Sequence, residues 1–570
     1  MSFIIFIKVI MSKYPDIGDN DFQEKIATKY KALTIPKKKP SFKSLCYPNG
    51  FTYQLPQLFV SKFINPKTNY KGILVFHEIG SGKTCLSILT GLQWYKKRRV
   101  IFLVPASLVG NVYKEFRSEC SGNLYISKSE RKQLENLHPG SQEYKTLVLK
   151  VNAKIDKDFE IYSFHKYVNL VVNNKINLKN ALVIVDEVQN IVSENGSFYR
   201  NILDSFLKSS SDARFVIMSG TPIFDKPIEL ALTINLLKPS TPLPIGKDFN
   251  NAFLQPVNGG YALKNKELLM QLLQGYVSYS PGAPKHAFPE QIIKIVKCPM
   301  SAFQYKSYKK VERSEGNPDF NDILKLSTAF FIGSRMVSNI AYPNKKINEK
   351  GLNSFKGKGL HLTNIGKYST KFEKIINRIK AISGPSIVYS NFREYGGIEP
   401  FIRTLIHNGY IYVFDKDANE SKYNKKRFAI WSGKEDVDDK ETAKNIYNDK
   451  NNINGSMLKI IIISPSGKEG LSLFNTGSIH IMEPYWNYSR MAQIFGRGIR
   501  FCSHKALPKD KRLVRIFIYL STTPTGKKTI DGYIYNMMKE KKSLLSEFYE
   551  TLKDVAVDRY LNTNAIKNLN

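Results

Sequence analysis

The chain has 570 residues, 42% of them hydrophobic and 24% charged, which leaves room for several domains with cores of their own and excludes wholesale disorder. Its 85 Lys and Arg against 49 Asp and Glu give a formal net charge of +36. A polyanionic partner follows, nucleic acid first among them, the other reading being a lysine-rich background that only solvates the surface. In chain order, Phe3 to Ile10 is apolar but short and broken by Lys8, with no basic flank ahead of it and no small-residue cleavage site. Neither a secretory signal nor a membrane span is expected there. Residues 1–50 form a basic, turn-rich extension whose charge run, Pro36-Lys37-Lys38-Lys39-Pro40, reads as a solvated linker in reach of phosphates. Cys46, Cys85, Cys120, Cys298 and Cys502 are far apart, odd in number and in no ligand spacing, so a reducing compartment without structural zinc is expected.

From 51 to 245, apolar runs alternate with helical patterns. Ile73 to Phe76, Val100 to Val104, Leu182 to Val185 and Phe215 to Met218 do not alternate, as strands covered on both faces must not. This predicts an α/β domain on a parallel sheet. The rhythm is lost from 246 to 365, read as a bridging insertion. It returns from 366 to 525 with Ser386 to Tyr389, Ile460 to Ile463, Ile479 to Met482 and Arg515 to Tyr519, a second α/β domain. A Lys-rich helical tail, 526–570, closes the chain, with Tyr533, Ile534, Met537, Leu544, Leu545, Phe548 and Leu552 near helical spacing as packing positions.

The first strand runs into Gly80-Ser81-Gly82-Lys83-Thr84 and then into a helix whose apolar face begins at Cys85 and Leu86. A polyphosphate needs several backbone N–H donors with small side chains around them, so these residues suit a phosphate cradle. Lys83 would reach the β- and γ-phosphates of ATP, and the Thr84 hydroxyl would ligate Mg²⁺. The full loop pattern has Gly where this chain has His77. After the strand Leu182 to Val185 comes the acidic pair Asp186-Glu187, followed by Val188-Gln189. Carboxylates at the end of a buried strand suit a cation: Asp186 for Mg²⁺, Glu187 to orient the attacking water. Ser219-Gly220-Thr221-Pro222 ends the next strand with polar groups fit to sense the γ-phosphate, or is a plain turn. Downstream, Ser464 to Leu473, with Gly470, is a small-residue loop in reach of nucleotide and nucleic acid. Gln493-Ile494-Phe495-Gly496-Arg497-Gly498-Ile499-Arg500 places two guanidiniums three residues apart. These suit transition-state charge on a phosphoryl group, or backbone phosphates, or surface ion pairs.

This ordered set resembles the superfamily 2 helicases and translocases, with Gly80 to Thr84 as motif I, Asp186 to Gln189 as motif II, Ser219 to Pro222 as motif III, the Gly467 to Leu473 loop as motif V and Gln493 to Arg500 as motif VI. The resemblance implies two tandem RecA-like domains with ATP between them, Arg497 and Arg500 reaching in from the second. It also implies an adenine-reading role for Gln57 and nucleotide contacts for Ser81, Cys85, Gly470 and Gln493. Gln189 departs from the commoner histidine, a change that bears on how hydrolysis is coupled to strand movement. Gly275-Tyr276-Val277-Ser278-Tyr279 with Phe288-Pro289, Ser334 to Asn339 and Thr529-Ile530-Asp531 are similar to the helicase-like proteins of nucleocytoplasmic large DNA viruses, which include poxvirus nucleoside triphosphatase I and the small subunit of the early transcription factor. That similarity implies a transcription ATPase of virion and infected-cell cytoplasm, acting on DNA ahead of RNA, partnered by a viral RNA polymerase or a second factor subunit. The alternative it leaves is a promoter-binding subunit that uses hydrolysis as a switch.

Overall fold

The computed structural model describes residues 14–567 apart from 79, 210, 258–259, 317–330, 416–425 and 468–470. The apolar run Phe3 to Ile10 and the motif V residue Gly470 therefore lie outside the described residues. Each unalternating run becomes a strand with helices on both faces. In the first half these are β1 (Gly72–His77), β2 (Arg99–Val104), β3 (Glu160–Ser163), β4 (Ala181–Val185) and β5 (Arg214–Ser219), with a small hairpin β6 (Leu254–Val257) and β7 (Gly260–Leu263) and then β8 (Val277–Ser280). The second half has β9 (Glu290–Pro299), β10 (Ser386–Tyr389), β11 (Tyr410–Tyr412), β12 (Lys426–Trp431), β13 (Ile460–Ile463), β14 (Ser478–Ile481) and β15 (Leu513–Thr522).

The protein is α/β, with two tandem RecA-like parallel sheets. One has the order β3-β2-β4-β5-β1-β8 and the other β11-β12-β13-β10-β14-β15-β9. In β1, Ile73 and Val75 enter one apolar core while Leu74 and Phe76 enter another, because successive side chains point to opposite faces. The same division recurs in β10, where Ile387 and Tyr389 face one core and Val388 the other.

The expected boundaries at 246 and 366 do not coincide with the sheets. β8 pairs with β1, and β9 pairs with β15 over ten residues, so the bridging segment contributes an edge strand to each half. The charge run Pro36 to Pro40 is exposed as expected, but the N-terminal extension on either side of it is packed on the fold. Phe22, Ile26 and Leu33 are buried in the first half's core. Its short helix Phe42–Cys46 sits on the second half, where the Arg512 guanidinium lies 3.8 Å from the Phe42 ring centroid and Tyr47 Oη donates to Lys505 O at 2.8 Å. The cysteines need a further correction. The fold pairs Cys46 with Cys502 and Cys85 with Cys120 as disulfides, at Cα separations of 5.4 and 5.5 Å, leaving Cys298 buried and unpaired. Spacing along the chain hides this, since the first pair is 456 residues apart.

The C-terminal helix Ile530–Asp554 joins the halves. Ile530, Ile534, Met537 and Met538 belong to the second half's core, and Leu544, Leu545, Phe548 and Leu552 to the first half's. Midway, the buried Lys541 ammonium meets Asp225 at 2.8 Å. Among the described residues no helix is long and apolar enough to cross a membrane.

Candidate nucleotide cleft

β1 delivers the chain to a loop that bends back through left-handed backbone at Gly80 (φ 85°) and Gly82 (φ 68°), a region that suits glycine. The helix Lys83–Trp94 follows with Gly82 as its N-cap, so no side chain caps its first amides. Uncapped N–H groups at a helix start are what a phosphate would satisfy. The Ser81 hydroxyl is buried with no hydrogen-bond partner among the described residues. Lys83 Nζ donates to the carbonyls of His77 at 2.8 Å and Glu78 at 3.5 Å. Gln57, from the helix Leu55–Phe63, is buried against the same loop: its Nε2 donates to Gly82 O at 3.0 Å and Ser81 O at 3.3 Å, while its Oε1 accepts from Gln54 N at 2.8 Å. A Cβ at Gly82 would lie 2.5 Å from that amide, so the loop and Gln57 fit only with glycine there. Cys85, expected to contact the nucleotide, has its side chain turned into the core. Its sulfur is bonded to Cys120 in the core, leaving only its backbone to the loop.

β4 ends at the buried Asp186, whose Oδ1 accepts from Glu187 N at 2.9 Å. Glu187 takes left-handed backbone (φ 53°), a conformation that costs a non-glycine residue about 1–3 kcal/mol and persists where its surroundings enforce it. Here Gln189 Nε2 donates to Glu187 Oε2 at 2.5 Å, and Gln189 Oε1 accepts from Ser219 Oγ at 2.6 Å. Ser219 Oγ also accepts from Thr221 N at 2.9 Å. Motifs II and III are thus joined by one glutamine amide, with β4 and β5 as neighbours in the sheet holding them in register.

Across the cleft, the helix Tyr488–Gly498 carries Gln493 and Arg497, and Arg500 lies two residues past its end. Both guanidiniums reach the same carbonyl, that of Leu471, at 3.3 Å from Arg497 and 2.8 Å from Arg500. Burial pulls the Arg500 pKa below the usual arginine range. Gln493 Oε1 is buried and accepts no hydrogen bond among the described residues. A Cβ on Gly80 would lie 3.5 Å from Phe501 Cβ and 3.1 Å from the Phe288 ring, so the residue next to Arg500 packs against motif I. In this conformation, then, the arginine-bearing segment abuts the loop while its guanidiniums are held by their own half. An open cavity of about 1160 Å³ separates Glu78, Gly220 and Thr221 from Tyr488, Ala492 and Gly496.

The sequence profile of the SNF2-related domain matches residues 54–355, which takes in Gln57 and motifs I to III. This chain belongs to the SNF2-related family. It is a helicase-family enzyme that hydrolyses ATP. A protein of Acanthamoeba polyphaga mimivirus named as a candidate ATP-dependent RNA helicase is 43% identical over 563 residues, covering 97% of both chains. A termination factor NPH-I homolog of African swine fever virus is 26% identical over 582 residues, covering 89% of this chain and 79% of its own. The crystal structure of the Pyrococcus furiosus Hef helicase domain is a distant likeness, with TM-score 0.40 and 13% identity over 82% of this chain and 94% of that one. Within this SNF2-related framework the sequence did not single out the role of the Phe42–Cys46 helix or the packing of Phe288 and Phe501. Of these aromatics only Phe288 adjoins a proline, Pro289, and neither Phe42 nor Phe501 carries a local signal.

Proposed function

We propose that this SNF2-related ATPase moves along nucleic acid, DNA ahead of RNA, in the transcription of a large DNA virus. ATP would be split between its two halves. Lys83 and the amides from Gly80 to Cys85 grip the β- and γ-phosphates, and Gln57 holds the loop and reads the base side. Thr84 and Asp186 would hold Mg²⁺: both offer hard oxygen donors, and the uncapped helix start with the orphaned Ser81 hydroxyl beside it suits a phosphate-bound cation. When bound, Mg²⁺ would supply neutralisation of the phosphate charge. Glu187, oriented by Gln189, positions the attacking water. Arg497 and Arg500 leave Leu471 as the cleft closes and stabilise charge on the transferring phosphoryl group, with Gln493 on the same helix as Arg497, and Gly470 is assigned to the nucleotide from the motif resemblance alone. The virion and the infected-cell cytoplasm are the places of action, and a viral RNA polymerase or a second transcription-factor subunit is the protein partner.

The observation that carries this reading is the Glu187–Gln189–Ser219 chain, because it ties the acid that serves cleavage to the strand end that faces the second half. The names of the mimivirus and African swine fever virus relatives support the helicase and transcription parts.

The test is ATP turnover measured separately with single-stranded DNA, duplex DNA and RNA, alongside Lys83→Ala. At least one nucleic acid should stimulate turnover about tenfold or more, and Lys83→Ala should abolish it. Binding should weaken roughly 10³- to 10⁵-fold between about 50 and 200 mM salt if about 6–10 phosphates are neutralised. Turnover indifferent to all three nucleic acids would overturn the proposal, and turnover dependent on a promoter and a partner protein would replace it with the switch.

A further inference from the structure

At the end of β1 the fold buries a polar chain that lies outside motifs I, II, III, V and VI. His77 is fully buried, and its Nε2 lies 3.0 Å from Ser278 Oγ on the neighbouring β8. Ser278 Oγ donates at 2.6 Å to Asp558 Oδ2 in the C-terminal tail, and Asp558 Oδ1 accepts from Tyr279 N at 2.9 Å. A hydroxyl has one hydrogen, and here it goes to a carboxylate that has none to give. Ser278 Oγ must then accept from His77, so the ring carries its proton on Nε2. That leaves Nδ1 as a bare acceptor, and it has no partner among the described residues. Burial keeps the imidazole neutral, its pKa pushed down to about 3, and pushes the Asp558 carboxyl up to about 6.

The chain ends on the nucleotide loop. The His77 carbonyl is the one that accepts Lys83 Nζ at 2.8 Å. Tyr279 makes a second link, its hydroxyl donating to Glu78 Oε1 at 2.9 Å. The tail is fastened along the outer edge of β8, where Val557 N donates to Val277 O at 2.8 Å and Asn562 Nδ2 to Tyr279 O at 2.7 Å. This tail is the direct continuation of the helix that runs through both halves.

A fully apolar filling of this space would avoid the cost of a buried carboxylate and an orphaned ring nitrogen. The cost is borne at the position where a phosphate-binding loop of this spacing has glycine. We propose that Asp558 and His77 are positioning residues for Lys83: the C-terminal tail sets, through Ser278, the backbone that holds the ammonium ready for phosphate. This rests on the reading that the loop binds ATP. Both side chains are fully buried and act through the loop's backbone, so the effect falls on binding and not on the chemical step.

The test uses the full-length chain, with affinity for N-methylanthraniloyl-ATP, steady-state turnover with the stimulating nucleic acid, and the melting temperature of each variant. Asp558→Asn and His77→Gly should each weaken analogue binding and raise KM about tenfold while kcat stays within about threefold. The double variant should be no worse than the worse single, since both break one chain. His77→Gln, whose amide can still donate to Ser278, should restore most of the affinity. If Asp558→Asn does not fold, Ser278→Ala interrupts the same chain while leaving the carboxylate its bond to Tyr279 N. Folded variants with affinity within twofold of the unmodified protein, or a double variant whose losses simply multiply, would overturn the proposal. An unmodified protein that binds no analogue would overturn the reading of the loop on which it rests.

Discussion

Gln189→Ala tests the coupling between motifs II and III without touching phosphate or metal ligands. In the structure this side chain makes one bond to the Glu187 carboxylate, at 2.5 Å, and accepts one from Ser219, at 2.6 Å. A hydrogen bond to a charged group contributes about 1.5–3 kcal/mol, and misplacing a catalytic group by roughly 1 Å costs on the order of 10²-fold in rate. Removing the amide frees Glu187 to leave the line of attack, so kcat should fall about 10- to 100-fold. KM should stay within about twofold, because Gln189 bonds no atom of the loop at Gly80 to Thr84. The assay is single-turnover hydrolysis with and without nucleic acid, run beside Ser219→Ala. Ser219→Ala keeps the bond to Glu187 but cuts the link to Thr221 N, so it should hydrolyse at the unstimulated rate and lose stimulation. Unchanged kcat in Gln189→Ala, or full stimulation in Ser219→Ala, would refute the idea that this amide carries the signal.

Two further outcomes follow from the geometry. Unfolded without reductant, the chain should titrate as one thiol, Cys298, and with reductant as five, and five thiols without reductant would contradict the pairing of Cys46 with Cys502 and Cys85 with Cys120. Glu229 is half-buried, and desolvation pushes its carboxyl up to about 7 from an ordinary value of 4.5. Between those values the folded state holds a proton that the unfolded chain releases, so stability falls as pH rises through the window and levels off above it, a loss on the order of 3 kcal/mol. Glu229→Gln should remove that slope in denaturant titrations at about pH 5 and pH 8; an identical slope in the variant would show that Glu229 does not titrate there.

Much of the fold was legible because buried parallel strands advertise themselves. Ser386 to Tyr389 and Ile460 to Ile463 are strands with the expected ends, and the other apolar runs differ by a few residues at most. Strands such as β3 and β9 escaped because they sit at sheet edges, where one face meets solvent and continuous apolarity is not required. β3 is half-buried, and β9 leaves Ile293 and Ile295 exposed while pairing along its whole length. The loop at Gly80 to Thr84 and the Asp186-Glu187 pair are local in sequence, so their chemistry could be read directly. What sequence could not reach were contacts between distant segments. These include the bond from Gln57 to the loop, the shared carbonyl of Leu471, the docking of Phe42 to Cys46 on the second half, and the buried Asp558. The last stood in plain view as a lone acid in the apolar stretch Val555-Ala556-Val557-Asp558. Gln189, read as a departure from the commoner histidine, takes both of its partners with one amide, which an imidazole with a single N–H and a single acceptor could also do only in one tautomer.

The account stands on ATP being split between the two halves, and Arg500→Ala measures that most directly. Its guanidinium is half-buried and, among the described residues, bonds only to Leu471 O of its own half, next to the Phe501 that packs on Gly80. An arginine that stabilises the transferring phosphoryl group is worth about 10³- to 10⁵-fold in rate. Nucleic-acid-stimulated turnover should therefore drop by at least about 10³-fold while affinity for N-methylanthraniloyl-ATP changes only a few-fold. Turnover near that of the unmodified protein, with nucleic-acid affinity reduced instead, would place the arginine on the nucleic acid and contradict a shared cleft.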